Sequence, residues 1–149
     1  MEQTNKKYEL LDSDTVTTPS GRVLKRIRAL VAIGTLVASG ELGGYIETEQ
    51  NLDVNGDAWV SGDARVYGDA RVDKRRDIFW LSIIGSENST YTAFKNKDGG
   101  VSVSVGCFNG TFKQFIDAVE ATHISTEFYH EYQAVIELTK ARLSVEAEA

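Results

Sequence analysis

Scarcity sets the first bounds on this 149-residue chain. It carries one cysteine, Cys107, so no internal disulfide can form, and such usage suits a reducing compartment. No run of eighteen apolar residues occurs, which excludes a hydrophobic membrane-spanning helix. The opening MEQTNKKYELL lacks the apolar centre of an export signal and predicts a cytoplasmic protein. One proline against thirteen glycines, with 42% hydrophobic residues, reads as a folded chain. Histidine is confined to His123 and His130. Positive charge is thin in the second half, where residues 77–149 hold five Lys/Arg against ten Asp/Glu. Residues 1–76 hold eleven against twelve. A net charge of −6 argues against general binding of duplex nucleic acid, whose affinity rests on many phosphate contacts.

What the chain does have is a repeat. In NGDAWVSGDARVYGDARV, Gly56-Asp57-Ala58 recurs as Gly62-Asp63-Ala64 and Gly68-Asp69-Ala70. Each triplet leads, one residue later, to Val60, Val66 or Val72. Repeats are settled before secondary structure. Val and Ala are predicted to point inward, and Gly-Asp to supply corners in left-handed backbone geometry. Trp59, Arg65 and Arg71 then form one outward set, and Ser61, Tyr67 and Asp73 another. The pattern resembles the hexapeptide-repeat, left-handed parallel β-helix family, in which three hexads make a triangular coil. The segment 37–54, with Leu42, Ile46 and Leu52, reads as a second, irregular coil. Two coils are too few to stand alone, because ordering a residue costs about 1.5 kcal/mol and the buried Val and Ala return less. The resemblance implies a homotrimer.

Residues 6–12 and 22–31 read as strands around a polar turn, Thr17 to Gly21. Alternation places Val23, Lys25, Ile27 and Ala29 on one face, and Leu24, Arg26, Arg28 and Leu30 on the other. Beyond Lys74-Arg75-Arg76, the segments 77–85, 89–95 and 100–106 read as an antiparallel meander. Thr111 caps a helix, with Gln114 completing a capping box. A second helix is expected from Thr126 to Leu143, burying Phe128, Tyr132, Val135, Ile136 and Leu143. The predicted class is mainly β with an α+β tail: a short left-handed parallel β-helix, an antiparallel meander and two C-terminal helices. Two domains are expected, 1–76 for the strands and hexapeptides and 77–149 for the α+β module.

The segments RIRAL, GELGGYIETEQNL, the hexapeptides and the tail IGSENSTYTAF…VSVGCFNGTFKQF are similar to a group of small phage and prophage hexapeptide-repeat proteins, often labelled transferases. The label does not carry over. A hexapeptide acyltransferase needs a catalytic histidine beside an intersubunit cleft, and His123 and His130 lie in the helical tail. Cys107 with His123 would make a nucleophile–base pair, but a packed cysteine between strand and helix accounts for it more simply. Glu127, His130 and Glu131 share one helix side, yet no second motif completes a metal site. GGVSVSVG lacks phosphate-loop spacing. No catalytic residue, metal or cofactor is therefore expected.

Binding remains. Trp59 and Tyr67 offer stacking faces, while Arg65 and Arg71 offer guanidinium groups for phosphate. Arg26 and Arg28 on the second strand and Arg75 and Arg76 after the repeat extend the set. The same residues would equally serve a subunit interface, where Trp, Tyr and Arg are enriched. The sequence predicts a non-enzymatic, phage-type oligomer that sequesters a small anionic host-defence signal, a cyclic nucleotide or an ADP-ribose-type molecule. It would act in the cytoplasm of the host, with no duplex nucleic acid and no membrane as partner. An acyltransferase-like enzyme and a structural or protein-interaction component of a phage stand as alternatives.

Overall fold

The computed structural model describes residues 5–85, 87–123 and 127–143. The chain divides into two compact units, Met1–Arg75 and Arg76–Ala149. In the first, β1 (Tyr8–Thr17), β2 (Val23–Ala29), β3 (Leu42–Ile46) and β4 (Arg65–Val66) form one sheet in that order. The first three run antiparallel. Thr18 closes the β1–β2 turn from both sides: its N–H donates to the Arg22 carbonyl at 2.8 Å, and its hydroxyl accepts from the Arg22 N–H at 3.0 Å. The register of β1 on β2 slips between Leu11 and Thr15.

Strict alternation fails on β2. Leu24 and Ile27, expected on opposite faces, are both fully buried. Both pairings of β2 are irregular in this stretch, against β1 between Lys25 and Arg26 and against β3 between Arg26 and Arg28. Gly43 lets β3 lie close to the repeat. A Cβ there would sit 2.5 Å from the Val60 carbonyl oxygen and 2.6 Å from Ile27 Cγ1, which no side chain tolerates.

The predicted parallel β-helix is not present. Among the described residues the one parallel ladder, β3 on β4, is two residues long, Tyr45 with Arg65 and Ile46 with Val66, and an isolated parallel bridge joins Leu52 to Val72. The two sheets are otherwise antiparallel and do not close. The repeat still controls burial locally. Val60, Val66, Val72, Ala58, Ala64 and Ala70 are all 0% exposed, and Gly62 and Gly68 turn corners at φ of 60° and 66°. What fails is continuation. Leu42, expected inward, is 50% exposed, and Val54 is only half-buried, so the upstream segment supplies no regular second coil. Side chains of the N-terminal strands pack on the repeat instead, Tyr8 against Trp59 and Leu24 with Val16 against Tyr67.

In the second unit, β5 (Ile78–Ile84), β6 (Ser89–Lys95), β7 (Val101–Val105) and β8 (Phe108–Thr111) form an antiparallel sheet in sequence order. The sequence reading missed β8. VGCFNGT does not lead directly to a helix but reverses through Gly106-Cys107, with Val105 opposite Phe108. Helix α1 (Phe112–His123) starts at the expected capping box. The Gln114 N–H donates to the Thr111 hydroxyl at 3.1 Å and the Thr111 N–H to Gln114 Oε1 at 2.9 Å. Helix α2 (Tyr129–Leu143) buries Tyr132, Val135, Ile136, Thr139 and Leu143, while Phe128 ahead of it is half-buried. Its expected start at Thr126 lies outside the described residues. Among the described residues no helix is long and apolar enough to cross a membrane.

Each core holds one tyrosine whose hydroxyl is locked inside. Tyr8 donates to the Leu52 carbonyl at 2.5 Å, and the Tyr91 hydroxyl lies 2.7 Å from that of Thr139. Burial is the main cause that raises both phenols well above their ordinary pKa of 10.0. Above that pH the unfolded chain loses these protons and the folded chain keeps them. Their stabilisation is therefore complete below about pH 10 and falls as pH rises further. Melting temperatures measured from about pH 9 to about pH 12 will descend, and Tyr91→Phe will flatten the descent. An equal slope in that variant would refute the assignment.

Candidate functional site

The proposed arginine and aromatic positions do not form one outward face. Trp59, predicted outward, is 5% exposed: its ring meets Tyr8 edge-on at 6.3 Å, and its buried indole N–H has no hydrogen-bond partner among the described residues. Tyr67, also predicted outward, is 8% exposed and packs with Leu24 and Tyr45, with the Arg22 guanidinium 6.0 Å from its ring centre. Both aromatics are enclosed because the N-terminal strands lie over the repeat. Neither is available for stacking on a ligand.

The arginines are committed in different places. Arg26 is clamped by the Asp14 carboxylate (2.6 Å), the Gly43 carbonyl (2.8 Å) and the Tyr45 hydroxyl (2.6 Å), and its guanidinium lies 4.4 Å from the Tyr45 ring centre. Those hydrogen bonds, from Arg26 first and Tyr45 second, hold the Asp14 carboxyl below its usual pKa. Arg28 pairs with Glu9 at 2.8 Å through Nε. Lys25 pairs with Asp12 at 2.6 Å. Arg65 and Arg71 are half-buried, Arg71 donating to the Gln50 carbonyl at 2.9 Å. Arg76 is exposed in the second unit. Cys107, expected to be packed, is exposed because it occupies the tip of the β7–β8 reversal. The His123 side chain, its suggested partner, lies outside the described residues. Of the suggested helical ligands, Glu131 is engaged by the Gly85 N–H. Among the described residues no three His, Cys, Asp or Glu side chains converge as metal ligands would.

One predicted residue, Arg75, braces the lining of a pocket without being part of it. It opens in the first unit with a volume of about 450 Å3, lined among others by Lys6, Lys7, Ile33, Val54 and Asp57. Three stretches distant in sequence make it: the chain entering β1, the loop after β2, and the turn before the repeat. An Asp53 side-chain oxygen accepts from the Gly56 N–H at 2.9 Å and shapes that turn. Arg75 ties that turn to the loop after β2, donating to Asp57 Oδ2 at 3.2 Å and to the Ile33 carbonyl at 3.4 Å.

Lys7 is the unusual member, 4% exposed. Its Nζ donates to the Asp53 carbonyl at 2.8 Å, using one of three N–H groups. Burial lowers its pKa; Asp53 and Asp57 oppose that effect, and Arg75 adds to it. Among the described lining residues, the charged side chains are Lys6, Lys7 and Asp57, so ammonium groups outnumber carboxylates. Val31 and Val54 give the pocket an apolar wall. Sequence reading missed Lys6 and Lys7 because they sit at a strand start, and only a contact spanning 46 residues brings Lys7 to Asp53.

Comparison with protein-family models, with curated proteins and with solved structures gave no match.

Proposed function

We propose that this is a non-enzymatic, oligomeric binding protein that holds a small anionic ligand of the nucleotide type in the Lys6–Lys7 pocket. The observation that carries the reading is the buried Lys7 ammonium beside an open space of about 450 Å3. An ammonium confined with too little countercharge gains from an arriving phosphate, which restores the solvation it lost. The volume falls within the usual range for small-molecule sites, and the Val31–Ile33 wall suits the apolar face of a base or sugar. The resemblance to phage and prophage proteins makes a host signalling nucleotide the natural candidate, bound in the host cytoplasm and withheld without turnover. The assembly is a homotrimer with one such pocket per chain.

Thermal shift and calorimetry with cyclic di- and trinucleotides, ADP-ribose and AMP test the reading. A ligand that binds the folded state alone raises the melting temperature with its concentration. At least one compound will bind below about 10 µM, some −6.8 kcal/mol. Lys6→Gln, at an exposed position, will weaken it by about 1.5–3 kcal/mol without lowering the melting temperature of the free protein. No binding across the panel overturns the proposal and leaves a protein partner as the better reading.

A further inference from the structure

The second unit contains a different kind of cavity. Its volume is about 380 Å3, and it lies where the inner face of α1 meets the β7–β8 reversal. The walls are Val105, Phe108, Phe115, Val119 and Tyr132. Their rings are set edge to face: Phe108 and Phe115 are 5.6 Å apart at 61°, and Phe115 and Tyr132 are 6.1 Å apart at 73°. A flat guest among them extends the same arrangement, since aromatic rings favour tilted neighbours. The space well exceeds the roughly 150 Å3 apolar cavities that take up benzene, so a two-ring molecule fits.

The rim is polar and acidic. Glu87, Ser89 and Cys107 stand on it, with no basic residue among the described lining residues. Glu87 and Ser89 converge over Gly106: a Cβ there would lie 3.0 Å from Glu87 Oε1 and 3.3 Å from Ser89 Oγ. With φ of 55°, Gly106 folds the reversal under these two acceptors and leaves them uncovered by any side chain of its own. The surrounding sequence carries the same sign, five Lys/Arg against ten Asp/Glu in residues 77–149.

From the aromatic walls and this rim we infer that the second unit binds a small flat aromatic amine, with its ring among Phe108, Phe115 and Tyr132 and its ammonium on Glu87 and Ser89. An aromatic wall with a few placed polar groups is the usual makeup of small-molecule sites. Electrostatic focusing at the acidic rim selects a cation over a neutral or anionic ring. The site is independent of the anion pocket, shares no residue with it, and stands or falls separately.

Calorimetry on the full chain with tryptamine and with indole tests the inference. Tryptamine will bind at sub-millimolar concentration and about tenfold more tightly than indole. Glu87→Gln will reduce tryptamine to the level of indole. Filling the space by Ala118→Trp will abolish both; Thr122→Phe, at an exposed position on the same rim, provides the same test should the larger replacement disturb folding. Bound tryptamine will also slow alkylation of Cys107 by N-ethylmaleimide. The inference is overturned by absence of tryptamine binding at about 1 mM, by equal affinity for indole, or by binding that persists in a folded cavity-filled variant.

Discussion

Val66→Asp will leave the first unit unfolded. Val66 is 0% exposed, lies on the short β4 ladder, and sits midway in the buried series Val60, Val66 and Val72. An aspartate there loses the packing of the valine and introduces a carboxyl group with no polar partner. Ionised, it would be a desolvated charge; protonated, it would still lack hydrogen-bond partners. A loss of about 3–5 kcal/mol follows, a large part of the stability of a domain this size. Val66→Ala, which removes only volume, will cost about 2 kcal/mol and keep the fold. Urea unfolding followed by circular dichroism separates the two. A Val66→Asp protein with the wild-type midpoint would show that the hexapeptide valines are not enclosed.

In the second unit, Phe115→Ala will cost about 3–5 kcal/mol. Phe115 is 3% exposed and touches three other rings, Tyr91 at 5.3 Å, Phe108 at 5.6 Å and Tyr132 at 6.1 Å. Removing it leaves a hole between α1 and the sheet and breaks three tilted aromatic pairs at once, each worth about 0.5–1.5 kcal/mol beyond buried area. Phe115→Leu fills most of the hole and will recover roughly half of the loss. The denaturation midpoint should fall with little change in slope, since the surface exposed on unfolding is nearly constant. A drop below about 1 kcal/mol would mean that the helix is not seated on the sheet through this ring.

Local chemistry was legible in the sequence and remote pairing was not. The Gly-Asp corners, the burial of Val60, Val66 and Val72, and the Thr111–Gln114 cap each depend on residues within six positions of one another. The β-helix inference required the same six-residue period to persist into residues 37–54, and Leu42 breaks it. Trp59 and Tyr67 were misread because burial on a repeat depends on what covers it, and the cover comes from β1 and β2. The register shifts beside Arg26 have no marker in composition, so a period-two reading could not place Leu24 and Ile27 together. The pocket at Lys7 was hidden for the same reason as the cover over Trp59: both arise when the N-terminus folds back onto residues some 50 positions later, as Lys7 does on Asp53 over a separation of 46.

The irregularity in β1 bears on how the chain behaves in a crowded cell. β1 is ten residues long and forms an edge of its sheet, the type of border that templates strand addition and aggregation. Between Leu11 and Thr15 it slips out of register, and Asp12 and Asp14 of this stretch are tied to Lys25 and Arg26 of β2. A foreign strand approaching that border meets a kinked backbone and two carboxylates rather than a straight row of amide groups. Edge-to-edge growth into fibrils is thereby blocked at mid-strand. The oligomer proposed above would therefore have to form through side-chain surfaces, not by extending the β1 edge.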